Sequence, residues 1–264
     1  MRHAGSSLSV ACLAAALAGC VTSGPPPQSS EQRNAADQAS ADRRAAPRLE
    51  LAGLHYSAGQ YDLALEEIKL ALAAKPDFGA AFNLRGLIYA AMGEERLADE
   101  SYLRALAINP RDADAMHNRG WFHCQFRRYD EADRLFEQAL AQPQYRDPVR
   151  TLLAQGVCHA RAGRLLDAEA KLTRAFELDA TNPTTSLNLA EVLYRRGEFE
   201  RARFYIRRVN QREELTSAPS LWLALRIENR LGNRPGMEEL GRQMRNRFPQ
   251  APETVAYERG RLDD

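Results

Sequence analysis

The stretch Phe82–Pro110, "FNLRGLIYAAMGEERLADESYLRALAINP", decides the fold. Apolar residues recur at helical spacing on both sides of Gly93, which predicts two amphipathic helices that turn back on each other at the glycine. Gly86 and Ala98 stand where such helices cross closely, Ala105 where a neighbouring pair stacks, and Pro110 ends the second helix. A single antiparallel pair cannot bury its own apolar face. It needs copies of itself.

The copies are present. Gly59 and Gly93 lie 34 residues apart, as do Ala64 and Ala98, Ala71 and Ala105, and Pro76 and Pro110. The series runs on through Gly120, Tyr129, Ala132, Phe136 and Ala139, then Gly156, Gly163, Ala168, Leu172 and Ala175, then Ala190, Tyr194, Gly197, Ala202 and Ile206. A weaker copy surrounds Trp222, Leu225, Gly232, Met244 and Pro249. The pattern resembles the tetratricopeptide repeat in six copies, and predicts an all-α solenoid of helix-turn-helix units over residues 46–250 with a concave surface. Two junctions depart from the period: "AQPQYRDPVR" adds two residues between the third and fourth units, and "VNQREELTSAPS" adds one between the fifth and sixth. Met237 and Gly241 replace the expected alanines in the last unit, which is expected to act as a cap, with residues 251–264 as a C-terminal tail.

Upstream of the repeats the chain changes character twice. Arg2 and His3 precede an apolar run from Leu8 to Leu17. At about 1.5 Å per residue such a helix reaches only about half of a ~30 Å hydrocarbon core, so it reads as a secretory signal rather than a membrane span. Leu17-Ala18-Gly19-Cys20 resembles the bacterial lipobox, which implies cleavage after residue 19 and lipidation of Cys20. Several acyl chains on one cysteine would be a lasting anchor. Val21 is not the aspartate that keeps such lipoproteins in the inner membrane, so the resemblance places the chain on the outer membrane facing the periplasm. Residues 20–45, rich in Pro, Ser, Gln, Ala and charge, read as the lipidated N-terminus and a flexible tether. Within them Glu31–Ala46 has enough helix-forming character to begin the folded domain as a first helix.

Composition narrows the possible partners. The chain carries 36 basic and 35 acidic residues, and removal of residues 1–19 takes away only Arg2, leaving 35 of each. Without a basic excess there is little counterion-release drive for nucleic acid and no polybasic membrane patch. Gly-x-Ser-x-Gly, His-Glu-x-x-His and phosphate-cradling glycine loops are absent from the sequence, so no catalytic residue is assigned and neither a cofactor nor a small-molecule substrate is expected.

Cys124 and Cys158 lie 34 residues apart near the ends of the first helices of their units. Stacking would set them side by side, but the two-residue insertion between those units shifts the register by about half a turn. Two readings follow: a disulfide, or two buried thiols. Zinc binding by His123, Cys124, Cys158 and His159 is disfavoured, because adjacent helical residues point about 100° apart. His55, Tyr89, His123 and His159 also share one repeat position, as packing residues would.

A narrower resemblance rests on "LADESYLRALAINPRDADAMHNRGWFHCQFRRYDEADRLFEQAL", on the extended junction "QPQYRDPVR", and on "LWLALRIENRLGN" followed by "RFP". Together with the lipobox these are similar to the type IV pilus biogenesis and stability protein family, whose members act as pilotins. The resemblance implies a non-enzymatic protein that binds the pilus secretin and promotes its outer-membrane localisation and multimerisation. The competing expectation is a repeat lipoprotein that scaffolds peptidoglycan enzymes or outer-membrane assembly. Carried over from the repeat pattern, the partner-facing residues on the concave side are Leu49, Tyr56, Asn83, Leu87, His117, Trp121, Gln125 and Tyr194.

Overall fold

The computed structural model describes residues 30–262, and every regular element among them is helical. The chain divides into two units, residues 1–41 and residues 42–264. The signal segment, Cys20 and the tether up to residue 29 lie outside the described residues. Six helix pairs follow in order: α1 (Ser30–Ser57) with α2 (Tyr61–Ala74), α3 (Gly79–Met92) with α4 (Glu95–Ile108), and α5 (Ala113–Gln125) with α6 (Tyr129–Leu140). Then come α7 (Pro148–Arg161) with α8 (Leu165–Leu178), α9 (Pro183–Arg195) with α10 (Phe199–Asn210), α11 (Ala218–Arg230) with α12 (Arg234–Arg247), and a short α13 (Pro252–Glu258).

The first helix reaches upstream of residue 46, since α1 starts at Ser30 and carries Pro47 in its interior. Proline removes one helical hydrogen bond, and alanine-rich flanks with an exposed ring let the helix run past it. Residues 251–264 are not simply a tail, since α13 packs on α11 and α12 with Pro252 at its first turn.

Within each pair one small residue faces one large residue sixteen positions later. Ala52 meets Ile68, Gly86 meets Tyr102, Gly120 meets Phe136, Gly156 meets Leu172, and Ala190 meets Ile206, all buried. The approach is close: a Cβ on Gly86 would stand 2.5 Å from the Tyr102 ring, and one on Gly156 2.6 Å from the Leu172 side chain. In the sixth pair the order inverts to Leu225 and Gly241, and Gly241 is filled by Tyr257 of α13, whose hydroxyl would lie 2.3 Å from an added Cβ. This inversion suits a terminal unit, because α12 presents Met237, Gly241 and Met244 where the first four second helices present alanine, a large residue and a second alanine.

The turn between the helices of a pair needs a left-handed residue, and Gly59, Gly93, Gly163, Gly197 and Gly232 supply it with φ between 69° and 80°. In the third pair Arg127 holds that position at φ 59°, the one non-glycine residue with positive φ among the described residues.

The first helices form one layer. α3 packs on α5, α5 on α7, α7 on α9 and α9 on α11, while successive second helices make no comparable contact among the described residues. Side-by-side first helices with splayed second helices curve the stack, and the first helices line its inner side. Ion pairs at the repeat spacing hold neighbouring units in register: Arg128 with Glu95 at 2.9 Å, Arg164 with Asp130 at 2.6 Å, and Arg201 with Glu169 at 2.6 Å. Each is solvent-exposed on at least one side and contributes at most about 1 kcal/mol.

Candidate functional site: the inner groove of the first three repeats

The groove is built on the first helices of three successive units. Tyr56 on α1, Leu87 on α3, and Trp121 and Gln125 on α5 line it together, with Tyr102 and Phe122 as its floor. Floor and wall differ in exposure: Tyr102 and Phe122 are 1% exposed, whereas Tyr56, Leu87 and Trp121 are half-buried and Gln125 is exposed. Burial pushes the Tyr102 hydroxyl above the ordinary tyrosine range, and Tyr56 shifts the same way through burial and its neighbour Tyr61. Both phenols stay neutral at physiological pH. The Arg161 guanidinium lies 4.9 Å above the Trp121 ring and braces it from the fourth unit. The site therefore offers a rigid aromatic and aliphatic wall with a polar amide at its end, suited to a protein segment that brings apolar anchors.

A polar chain continues from this wall across the inner layer. The Asn118 amide donates to Asn83 Oδ1 at 3.1 Å, and Arg150 donates to Asn118 Oδ1 at 2.6 Å and to His117 Nε2 at 3.0 Å. With Nε2 accepting, His117 Nδ1 carries the proton and donates to Thr151 Oγ1 at 2.8 Å, which Tyr145 also reaches at 2.5 Å. Burial and then the Arg150 charge pull the His117 pKa down to about 3, so the ring is neutral.

These contacts sort the residues expected to face a partner. Tyr56, Leu87, Trp121 and Gln125 share the groove, and Asn83 joins it through Asn118. His117 does not face a partner: it is 6% exposed and its ring nitrogens are spent on Thr151 and Arg150, because the inserted junction brings "YRDPVR" over it. Leu49 packs with Tyr56 in the core of the first unit. Tyr194 lies in the fifth unit with its ring under Arg226 at 4.7 Å and beside Phe199 at 5.6 Å. Asn118 and Arg150 were not singled out from the sequence. Arg150 belongs to the inserted junction, whose departure from the period was the one available signal.

The cysteines are joined. A disulfide links Cys124 on α5 to Cys158 on α7, with Cα atoms 5.8 Å apart. Equivalent residues of these two units are 36 apart, and the first helices meet two residues out of register, as His117 against Thr151 also shows at a separation of 34. The insertion, expected to shift Cys158 by half a turn, leaves it facing Cys124. His123 and His159 point back to the preceding unit, His123 Nε2 lying 3.7 Å from Asp99 and His159 Nε2 3.0 Å from Asp133. With both sulfurs bonded to each other, the Cys-His zinc arrangement has no thiolates to offer. One acidic residue is not an ordinary solvated charge: Glu228 is 5% exposed and is held by Arg207 at 3.1 Å and Asn233 at 2.8 Å.

Repeated helix pairs with small-to-large crossings and left-handed turn residues define a tetratricopeptide-repeat protein. Tetratricopeptide-repeat family profiles match residues 80–112, 101–134, 123–183 and 159–218. The crystal structure of PilW, described as a widely conserved type IV pilus biogenesis factor, superposes with a TM-score of 0.75 and 30% identity, covering 81% of this chain and 97% of PilW. The chain belongs to the family of PilW-like, tetratricopeptide-repeat type IV pilus biogenesis factors. The type IV pilus assembly protein PilF of Pseudomonas aeruginosa is 26% identical over 237 residues, 90% of this chain and 91% of PilF. A solved structure of Pseudomonas aeruginosa PilF shares the fold with a TM-score of 0.73 at 23% identity, covering 85% of this chain and 99% of that one.

Proposed function

We propose that this chain is a pilotin: an outer-membrane lipoprotein, anchored through Cys20, that binds the pilus secretin and promotes its localisation and multimerisation without catalysing a reaction. The observation that carries the reading is the groove of Tyr56, Leu87, Trp121 and Gln125, on a solenoid related over nearly its whole length to pilus biogenesis factors. A braced apolar wall on rigid helices grips a protein segment with little ordering cost on its own side. The groove lies in the first three repeats, which follow the lipidation motif most directly along the sequence. Lipid and groove then divide the work, one fixing the membrane and the other the client.

The experiment is a deletion strain complemented with the wild-type chain, with Cys20→Ala, and with Tyr56→Glu/Leu87→Glu, followed by membrane fractionation and a gel for the heat-resistant secretin multimer. The expected result is no multimer in the deletion, mislocalised or monomeric secretin with Cys20→Ala, and loss of the multimer with the groove variant although its helical melt stays near the wild type. A normal multimer in all strains rejects the pilotin role and favours a scaffold for cell-wall enzymes.

A further inference from the structure

The solenoid ends differently at its two termini. At the C-terminal end α13 covers α12, with Tyr257 seated on Gly241. At the N-terminal end no such cover exists among the described residues, and the repeat pattern shows what is uncovered. One position of the first helix, held by Ile88, Phe122, Cys158, Val192 and Ile227 in repeats two to six, is 0–3% exposed. In each case the side chain inserts against the second helix of the preceding repeat: Ile88 on Ala64 and Ile68, Phe122 on Ala98 and Tyr102, Cys158 on Ala132 and Phe136, Val192 on Ala168 and Leu172, Ile227 on Ala202 and Ile206. Leu54 holds this position in the first repeat and is 68% exposed.

Neighbouring positions repeat the contrast. Leu51 is 36% exposed, while two of its counterparts reach back to the preceding unit, Arg119 to Asp99 at 2.9 Å and Gln155 to Asp133 at 2.7 Å, and Leu189 and Ala224 are buried. Pro47 is exposed, and its counterparts Ala81, Ala115, Thr151 and Thr185 are 0% exposed. Pro47, Leu51 and Leu54 thus form one apolar stripe on α1, the face on which every later repeat seats a helix.

The internal junctions also show what such a helix looks like. At four of the five junctions its pattern is an alanine, a large apolar residue four positions on, and a second small residue three further: Ala64-Ile68-Ala71, Ala98-Tyr102-Ala105, Ala132-Phe136-Ala139 and Ala168-Leu172-Ala175, the fifth having Ala202-Ile206-Val209. With residues 1–19 removed, as the lipobox resemblance implies, the remaining chain provides none. Residues 21–29 contain Pro25, Pro26 and Pro27 with Val21 as their only large apolar side chain, and the second helices already spend this face on their own neighbours. A second copy fits poorly, because its matching stripe presents bulky Pro47, Leu51 and Leu54 where small residues are needed. We infer that the Pro47-Leu51-Leu54 edge is a docking site, separate from the inner groove, for an amphipathic helix of another protein carrying the Ala-x3-large-x2-Ala pattern, which adds to the solenoid as a preceding second helix would.

The test places the photo-crosslinking residue p-benzoylphenylalanine at position 54 of the full chain, and at Leu166 as an exposed control on a second helix. The probe is a stapled peptide of residues 165–178, "LLDAEAKLTRAFEL", which carries the pattern and needs the staple because a helix this short is marginal in water. The expected result is a peptide adduct at position 54, none at 166, and loss of the adduct with Ala168→Glu/Leu172→Glu in the peptide or Leu51→Glu in the protein. No adduct at 54, or an adduct equally strong at 166, overturns the inference. Crosslinking of the protein to a second copy of itself through position 54 also overturns it, by making the edge a self-contact. Pilus assembly does not enter any of these readouts, so the inference stands or falls apart from the pilotin reading.

Discussion

Opening the Cys124–Cys158 bridge probes how neighbouring repeats are held in register. The bridge closes a loop of 34 residues across the junction that carries the insertion. In the chain-entropy treatment a loop of that size restricts the unfolded chain by about 12 to 13 cal/mol/K, or about 3.8 kcal/mol at 25 °C. For a folded region of this size that corresponds to a fall in melting temperature of about 8 to 15 °C. The loss should be local as well as global, because each repeat of a solenoid touches only its neighbours and the bridge is the one covalent tie besides the backbone between units three and four among the described residues. The assay compares far-UV circular dichroism melts of oxidised protein, reduced protein and the Cys124→Ala/Cys158→Ala variant, with hydrogen exchange of α5 and α7 amides read alongside. We expect reduced and variant proteins to melt together, well below the oxidised protein, with faster exchange in α5 and α7 than in α3. Equal melting temperatures would refute the reasoning, since they would mean that the bridge does not restrict the unfolded chain by this amount or that the bridged fold loses as much in strain.

Further expectations rest on single residues. His117 is held neutral with a pKa near 3 against an ordinary value of 6.5, so as pH falls between those values the unfolded chain takes up a proton that the folded one does not. Stability contributed by this site is complete above pH 6.5 and declines on acidification by up to about 1.4 kcal/mol per pH unit, and His117→Gln should lower the pH slope of urea unfolding by about one proton. Arg127→Gly should stabilise the third turn by about 0.5 to 1 kcal/mol, measured by urea titration, because arginine there occupies the left-handed region. Gly86→Leu should cost about 1 to 3 kcal/mol or more in the same titration, since its first carbon already meets the Tyr102 ring. Tyr257→Ala should cost about 1 to 3 kcal/mol and leave α13 exchanging like an unfolded segment, while the first three repeats keep their protection.

Much of the solenoid is legible because its determinants recur at a constant distance along the chain. The left-handed turn residues, the small residue sixteen positions before its large partner, and the alanines of the second helices all repeat, so a comparison of the sequence with itself exposes them. Tyr56, Leu87, Trp121 and Gln125 came together in one groove because that period carries a side of each first helix from unit to unit. Pro47 stands inside α1 although a proline read locally marks a helix end, and nothing local says that its face is the open edge of a stack. The period alone puts His117 on the partner-facing side, because it does not report that the inserted junction folds over it.

The six-unit all-helical solenoid, its turn positions and its irregular third junction were thus determined by the sequence itself, through local propensity and contacts at fixed separation. The tertiary structure decided the rest: that first helices meet two residues out of register and so join Cys124 to Cys158, that Arg150 and Thr151 enclose His117, and that α13 fills Gly241 while Leu54 stays bare. These features depend on the lateral offset between stacked units and on what lies beyond the first and last of them. A repeating sequence encodes the unit far more clearly than it encodes either.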